Sequence, residues 1–192
     1  EGNRDYVIRK TELSLRRLNS DYIDIMYIHW PVPGVENACV TEALEKLREQ
    51  GKIRYIGVSN FGCRELEEAL RGGTVDFCQV GYNFLWRRCE RDILPFCREK
   101  GISTVAYSFF AQGFLTGSSF GASDHRRNLV FCRDEKYARA ARELRLLAEE
   151  NGVTVPALLF AWGRSLGLLD SVLVGCRNRK SLMFGRRNPP CR

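Results

Sequence analysis

Strand-like and helix-like segments alternate along this chain, and the alternation limits the folds that it can form. Apolar runs typical of buried strands occur in DYIDIMYIHWP, KIRYIGV, TVDFCQV, ISTVAYS and SVLVG. Between these runs, apolar residues recur at the spacing of one helix face, as in Val40, Ala43, Leu44 and Leu47. The links are short, which favours βα units with right-handed crossovers. The sequence therefore predicts a parallel sheet of five strands.

Several boundaries follow from the same pattern. A first helix is predicted through RDYVIRKTELSLRRL, ending near Asn19. The apolar run after it is nearly continuous, which predicts a strand covered on both faces that stops before Pro31. Residues 112–133 are polar and predict a loop of unusual length. Thr154 is predicted to cap a helix that has Pro156 in its first turn.

The predicted fold class is α/β, an incomplete (β/α)8 TIM barrel with about five of the eight βα units. No Gly-rich dinucleotide fingerprint follows any of the predicted strands, which argues against a doubly wound nucleotide-binding fold. A barrel suits the alternation, but eight strands with their helices need about 250 residues. This chain has 192 residues.

Charge and cysteine usage narrow the function classes. The net charge is +7, but six basic residues and no acidic residue lie between Arg177 and Arg192, so the rest of the chain carries only +1. A nucleic-acid-binding module needs a basic face across the fold, and we expect none here. No run reaches the roughly 20 apolar residues of a membrane span, and the charged start EGNRDYVIRK does not resemble a secretory signal.

The eight cysteines occur singly, without C-x-x-C pairs or zinc-ligand spacing. No metal site is therefore predicted. Several cysteines lie inside apolar patterns, as Cys78 and Cys97 do, and are expected to be small core residues. Unpaired cysteines favour a reducing compartment, and the predicted location is cytoplasmic.

Five segments together resemble the aldo-keto reductase family. In order they are SLRRLNSDYIDIMYIHWP, GKIRYIGVSNF, QVGYNFLWRR, GISTVAYSFFAQGFLTG and SVLVGCRN. The resemblance extends from about Arg4 to Leu182 and is closest to the bacterial branch that resembles potassium-channel β subunits. It predicts that residues 1–182 form a partial barrel, from the fourth strand of the family onward with the preceding helix. Residues 183–192 then form a divergent basic tail.

The resemblance assigns a catalytic role to His29, which stands at the carboxyl end of the first predicted strand. In the family, the matching histidine orients the substrate carbonyl. An imidazole at a strand end can hydrogen-bond the oxygen that gains charge as hydride arrives. Judged without the resemblance, a buried histidine bonded to a backbone group would be the commoner case.

The resemblance also implies NADP(H) as the cofactor. Ser59, Asn60 and Gln79 match the residues that hydrogen-bond the nicotinamide carboxamide, and an amide ligand needs both donors and acceptors. The alternative for Ser59 and Asn60 is a helix cap. Tyr107 matches the tyrosine whose ring stacks on nicotinamide, although a tyrosine at this place in a strand is more often a core residue.

Two further groups of residues are matched to the phosphates of the cofactor. Ser108, Gln112, Gly113 and Leu115 match the loop over the pyrophosphate, where backbone N–H groups approach closely, and the alternative is an ordinary polar turn. Arg177 matches a basic position that favours the 2′-phosphate of NADP, since a guanidinium suits phosphate geometry. A lone arginine after a strand is otherwise usually solvated.

The chain also departs from the family pattern. The family's catalytic aspartate, proton-donating tyrosine and lysine come from its first three strands, and no segment here matches them. We therefore expect a fragment of an NADP-dependent aldo-keto reductase, acting on a small carbonyl substrate and inactive by itself. A cofactor-sensing or partner-binding protein of the channel-subunit type is the alternative. The oligomeric state and the identity of the substrate are not indicated by the sequence.

Overall fold

The computed structural model describes residues 3–176, which form five strands, seven α-helices and three short 3-10 turns. The strands are β1 (Ile23–Ile28), β2 (Ile53–Ser59), β3 (Phe77–Gly81), β4 (Ser103–Tyr107) and β5 (Ser171–Val172). The helices are α1 (Asn3–Leu18), α2 (Asn37–Glu49), α3 (Cys63–Arg71), α4 (Ile93–Lys100), α5 (Val130–Arg133), α6 (Glu135–Glu150) and α7 (Val155–Leu166). The 3-10 turns are Arg88–Arg91, Ala111–Gly113 and His125–Asn128.

The strands follow one another in the sheet in their chain order, β1-β2-β3-β4-β5. The β1 and β2 strands pair in parallel, with Ile28 opposite Val58, and β2 pairs in parallel with β3, with Ser59 opposite Gln79. Helices connect successive strands, as parallel neighbours require. The predicted five-stranded parallel α/β arrangement is confirmed.

Two compact units make up the chain. Among the described residues, the first contains 3–80 together with Cys89–Val105, and the second contains Gly81–Arg88 together with 106–176. The predicted division into 1–182 and a tail at 183–192 stays a prediction, because the tail lies outside the described residues.

The first unit is organised around an aliphatic core formed by residues of α2 and β2. Its buried members are Leu44, Leu47, Ile53 and Ile56, each no more than 1% exposed. The amphipathic helix α2 supplies the two leucines, and residues of α1 and β1 pack at the margin of this cluster. The 3.6-residue period in the sequence of α2 places its apolar side chains on one helix face, and the leucines of this face pack in the core.

The second unit has an aromatic core. Tyr82 and Trp162 stack with ring centroids 5.6 Å apart and planes only 4° from parallel. Phe109 stacks on Phe160 with centroids 5.8 Å apart. Gly163 in α7 leaves room for this ring, because a Cβ atom there would lie 2.8 Å from Phe109 Cζ. Helix α7 is thus held by the residues that follow β4.

Local capping chemistry sets several helix boundaries as predicted. The Thr154 hydroxyl accepts a hydrogen bond from the Ala157 N–H, and Pro156 lies in the first turn of α7. At the C-terminal end of α4, Gly101 adopts φ 70°, a left-handed conformation that favours glycine.

Three predictions about individual segments are wrong. The β1 strand was expected to be covered on both faces, yet its residues are mostly half-buried, because it stands at the end of the strand order with β2 as its sheet neighbour. The last strand is shorter than SVLVG, although Leu173 N–H still donates to Ala106 O at 2.8 Å. The segment 112–133 is no simple loop, since it contains a 3-10 turn and the short helix α5.

Candidate functional site

His29 directly follows β1, Ser59 is the last residue of β2, and Gln79, the middle residue of β3, lies opposite Ser59. Ser59 is opposite Gln79 in the parallel register, and Ile28, directly before His29, is opposite Val58, directly before Ser59. In α/β sheets this end of the strands carries the ligand-binding residues, because the loops that follow the strands converge there. The structure therefore brings together the predicted catalytic residue and the predicted carboxamide-binding residues of the first unit.

A hydrogen-bond network ties these residues to one another. The Ser59 hydroxyl, buried at 1% exposure, lies 3.2 Å from Gln79 O and 3.3 Å from Gln79 Oε1, both of which can accept its proton. Asn60 Nδ2 donates to His29 O at 2.9 Å and to Ser59 Oγ at 3.2 Å. The Asn60 N–H also donates to Gln79 O at 3.3 Å. The site is preorganised by contacts between its own members.

Asn60 has a different place in this network from the one expected. Both hydrogens of its side-chain amide are directed at protein acceptors, one of them the backbone of His29. Its backbone adopts φ 63°, the left-handed region that asparagine tolerates better than most residues. The structure thus shows Asn60 joining the ends of β1 and β2, a role that is distinct from direct binding of a ligand.

The side chain of His29 is exposed, and its imidazole makes no hydrogen bond to a described residue. Its one ring contact is with Trp30, at 6.2 Å between centroids and 46° between planes. Trp30 is itself 59% exposed. The expectation that a histidine here would be buried and satisfied by a backbone group does not apply, and the imidazole remains able to bind an external oxygen atom.

Gln79 also keeps bonding capacity for a ligand. Its carbonyl groups face Ser59 and Asn60, whereas its amide nitrogen Nε2 makes no hydrogen bond to the described residues. A glutamine amide nitrogen carries two N–H donors. The donors that remain, the two N–H groups of Gln79 Nε2, suit the carbonyl oxygen of a ligand that contains an amide group.

Tyr27 is the tyrosine closest in register to this set, and its chemistry is not that of a proton donor tuned to neutral pH. Its ring covers Gly57, where a Cβ atom would lie 2.5 Å from Tyr27 Cε1. Burial, and to a lesser extent the neighbouring Cys78, raises the pKa of the Tyr27 phenol. A general acid works best when its pKa lies near the working pH, so Tyr27 does not replace the family's acidic tyrosine.

In the second unit, Tyr107 ends β4 and packs over the backbone of β3. A Cβ atom on Gly81 would lie 3.0 Å from Tyr107 Cζ and Oη and 3.0 Å from Trp86 Cζ3. Only glycine allows the ring to lie this close to the strand. The half-buried ring of Tyr107 is therefore fixed by its neighbours instead of rotating freely.

The predicted pyrophosphate loop forms a tight turn directly after Tyr107, which we call the 108–113 turn. Ser108, Ala111 and Gln112 have φ values of 56°, 47° and 54°, and Gly113 has φ 98°. Leu115 follows the turn and is fully buried, which anchors its end. Left-handed conformation at three residues other than glycine is uncommon and indicates that surrounding contacts hold the turn in place.

Sequence reasoning missed two sets of residues that support this turn. Asn83 is fully buried, donates from Nδ2 to Ser108 O at 3.2 Å and accepts from the N–H groups of Leu85 and Trp86. Its position two residues after β3 could have indicated such a role. Asp124 and Arg126 form the second set, for which the D-x-R spacing before a helix is a weak signal.

Arg177, the residue matched to the 2′-phosphate, lies outside the described residues. Among residues 3–176 there is no group of three or more histidine, cysteine, aspartate or glutamate side chains placed to hold a metal ion. Within the same range, none of the helices is long and apolar enough to cross a membrane.

Comparison with known proteins identifies the family. The model of the Aldo/keto reductase family matches residues 1–183. Aldo-keto reductase YhdN from Bacillus subtilis is 32% identical over 185 residues, which cover 92% of this chain and 56% of that protein. The NADH-specific methylglyoxal reductase of Escherichia coli is 34% identical over 174 residues, covering 84% and 52%. Aldo-keto reductase yakc [NADP(+)] of Schizosaccharomyces pombe is 31% identical over 169 residues, covering 82% and 50%.

Solved structures agree. The glycerol dehydrogenase AKR11B4 from Gluconobacter oxydans matches with a TM-score of 0.86 and 29% identity, over 97% of this chain and 59% of that one. The thermostable aldo-keto reductase Tm1743, in complex with the inhibitor epalrestat, matches with a TM-score of 0.73 and 32% identity, over 97% and 62%. The chain thus spans a little over half the length of the relatives that it matches. The predicted fold class, a partial (β/α)8 TIM barrel with five strands, is confirmed. This chain belongs to the aldo/keto reductase family.

Proposed function

We propose that this chain forms the cofactor-binding part of a nicotinamide-dependent oxidoreductase that reversibly reduces an aldehyde or ketone to an alcohol. The observation that carries the proposal is the alignment of His29, Ser59 and Gln79 across three adjacent parallel strands. Aldo-keto reductases act on small carbonyl compounds, and membership of that family supports this class of substrate.

The residues of the first unit fit the nicotinamide carboxamide. Gln79 Nε2 supplies donors for the carboxamide oxygen, and the Ser59 oxygen can accept from the carboxamide nitrogen once its own proton turns to Gln79 O. Asn60 contributes indirectly, because its amide fixes Ser59 Oγ and the backbone of His29. The bound cofactor would supply the hydride, and the protein would position the ring that carries it.

His29 would bind the substrate. Its exposed imidazole has no protein partner among the described residues, so a ring N–H is available for the carbonyl oxygen of an aldehyde or ketone. That oxygen becomes more negative as hydride arrives, so the hydrogen bond strengthens in the transition state. The exposed ring of Trp30 beside it offers an apolar surface for the rest of a small substrate.

In the second unit, Tyr107 and the 108–113 turn are candidates for binding a nicotinamide cofactor. The fixed ring of Tyr107 offers a flat surface on which a nicotinamide ring can stack. The N–H groups of Ala111 and Gly113 donate to carbonyl oxygens within the turn, whereas the Ser108 hydroxyl makes no hydrogen bond to the described residues and can donate to a phosphate oxygen. We propose NADP(H) on the strength of Arg177 in the sequence. The relatives carry both preferences in their names, one NADH-specific and one NADP(+).

Titration of the purified chain with NADPH and with NADH, followed by cofactor fluorescence or calorimetry, tests the proposal. Gln79→Ala should weaken binding about tenfold, as expected for one lost hydrogen bond of typical strength to a ligand. Gln50→Ala, a glutamine at the exposed end of α2, is the matched control and should bind as the parent does. A folded chain that binds neither cofactor saturably would overturn the proposal.

Carbonyl reduction by these 192 residues alone should be slow. No segment of this sequence matches the family's proton-donating tyrosine or its lysine, and a positioned general acid contributes roughly 10²–10⁴-fold to a rate. The assay follows NADPH absorbance with 4-nitrobenzaldehyde as the substrate. Turnover near the ~10 s⁻¹ typical of enzymes would show that another residue donates the proton.

A further inference from the structure

A buried arginine from a later segment donates a hydrogen bond to the 108–113 turn. Arg126 lies in the 3-10 turn His125–Asn128 and is only 8% exposed. Its Nη1 atom donates to Gln112 O at 3.1 Å, directly at a residue with left-handed backbone conformation. Of the two arginines in the stretch DHRR, the first lies inside the protein.

The Asp124 carboxylate binds the other two nitrogen atoms of the Arg126 guanidinium. Arg126 Nε lies 2.9 Å from Asp124 Oδ1 and 3.1 Å from Oδ2, and Nη2 also donates to Oδ2. The Phe120 ring covers the guanidinium at 4.3 Å from its centroid. With Nε and Nη2 bound to the carboxylate and Nη1 bound to Gln112, Arg126 is used within the protein and is not a free ligand for phosphate.

Neighbouring residues also donate hydrogen bonds to the carbonyl oxygen of Gly113, the last residue of the turn. Gly113 O accepts from Thr116 Oγ1 and from the Ser118 N–H, each at 3.0 Å. A Cβ atom at Gly113 would lie 2.7 Å from Ser118 Oγ and 3.8 Å from Arg126 Nη1. The carbonyl oxygens of Gln112 and Gly113 are therefore both occupied by protein donors. Carbonyl oxygens held in this way are kept from facing an anion, which would repel them.

We propose that the Asp124–Arg126 pair is a positioning element that holds the 108–113 turn in its pyrophosphate-binding conformation, and so sets the affinity for the cofactor without touching it. This inference rests on the proposed function. Hydrogen bonding from Arg126 holds the pKa of Asp124 well below its ordinary value, so the carboxylate is charged at neutral pH. A planar guanidinium can bind a carboxylate through two nitrogen atoms and a carbonyl oxygen through the third in one fixed geometry, whereas a lysine ammonium lacks this rigid fork.

Two variants and one matched control test the proposal. Arg126→Lys keeps the charge and removes the fork, and Asp124→Asn keeps the shape and removes the charge. Arg127→Ala removes a charge from the exposed neighbouring position and is the control. Either of the first two should weaken NADPH binding about ten- to a hundredfold, the range for a lost hydrogen bond to a charged group. The double variant should cost little more than either single change, because both disrupt one unit.

Two readouts separate positioning from a general loss of structure. Hydrogen exchange of the peptide spanning residues 108–118 should accelerate in Arg126→Lys and stay unchanged in Arg127→Ala. ADP-ribose, which contains the pyrophosphate, should lose affinity along with NADPH, whereas 2′-AMP, which lacks it, should not.

Equal weakening by Arg127→Ala would point to general charge attraction and overturn the proposal. Faster exchange with unchanged affinity for NADPH and ADP-ribose would overturn it as well, because the turn would then not govern binding. If the parent chain binds neither NADPH nor NADH, the proposed function itself fails and this inference falls with it. If the parent binds and Arg126→Lys binds equally well, only the positioning role fails.

Discussion

At the scale of single residues, exposure and hydrogen-bond partners separate those that can act on a ligand from those that only hold the site. The His29 imidazole and Gln79 Nε2 make no hydrogen bond to the described residues. The side chains of Asn60 and Arg126 instead donate to backbone carbonyl oxygens. Residues of the second kind act through others. Substituting them should therefore change binding by altering geometry, not by removing a contact with the ligand.

His29→Ala should lower kcat/KM far more than it lowers cofactor affinity, because we assign the imidazole to the carbonyl oxygen and not to the nicotinamide. The measurement needs an active protein, such as a chimera that joins the N-terminal part of the Bacillus subtilis relative to this chain. The expected loss is roughly 10²–10³-fold, the range for removing one donor to a developing oxyanion.

His125→Ala is the control for this substitution and should leave both parameters unchanged, because the His125 side chain is 87% exposed in the second unit. A cofactor dissociation constant that rises in step with the loss of kcat/KM would show that His29 binds the cofactor instead.

The cysteines should differ widely in reactivity, since the thiolate is the reacting form. Cys78 and Cys97 are fully buried, and the hydrogen bond between them, together with burial, raises the pKa of the Cys78 thiol. Burial also raises the pKa of Cys89 to about 11. Among the described cysteines, iodoacetamide at pH 8 should thus modify the exposed Cys176 first, the half-buried Cys89 more slowly, and Cys78 and Cys97 only after unfolding. Peptide mass spectrometry gives the order, and early labelling of Cys78 would contradict the buried placement.

At the scale of elements, α2 and α3 pack closely enough that one position admits only glycine. Gly72 ends α3 with an ordinary φ of −91°, yet a Cβ atom there would lie 1.9 Å from the backbone oxygen of Ala38 in α2. A backbone atom cannot rotate away as a flexible side chain can. The separation of these helices is therefore set by the absence of a side chain at Gly72.

Gly72→Ala should lower the free energy of unfolding by about 1–3 kcal/mol, the usual cost of overpacking. Thermal melting should show a fall of several degrees. The control is Gly121→Ala, where nothing lies within 4 Å of the added atom and φ is not positive. It should change stability by less than about 0.5 kcal/mol. Equal melting temperatures for the two variants would mean that α3 shifts at little cost.

At the scale of the molecule, the 192-residue chain presents surfaces that favour association. Strand β1 is an edge strand of the described sheet, and an edge strand exposes a row of unpaired N–H and C=O groups. Large aromatic side chains on and beside β1 and β2 are also exposed, with Tyr22 at 39%, Tyr55 at 48% and Trp30 at 59%. Exposing one such side chain forgoes about 1.5–3 kcal/mol, against a typical domain stability of about 5–15 kcal/mol.

We therefore expect the isolated chain to self-associate or to lack a sharp unfolding transition. Size-exclusion chromatography with light scattering at two concentrations, together with thermal melting, measures both properties. A monodisperse monomer that melts cooperatively at both concentrations would contradict this expectation.

The sequence by itself determined the order of strands and helices, several of their ends and the family. These properties depend on local patterns such as the period of apolar residues, the cap at Thr154 and short segments quoted in order along the chain. It also placed His29 and Ser59 at the carboxyl ends of β1 and β2, whereas Gln79 is the middle residue of β3. Only the tertiary structure decided how exposed β1 is, where the Asn60 amide points and what Arg126 binds. Each of these depends on atoms from residues distant in sequence, such as His29 with Asn60 and Gln112 with Arg126, whose approach no local pattern encodes.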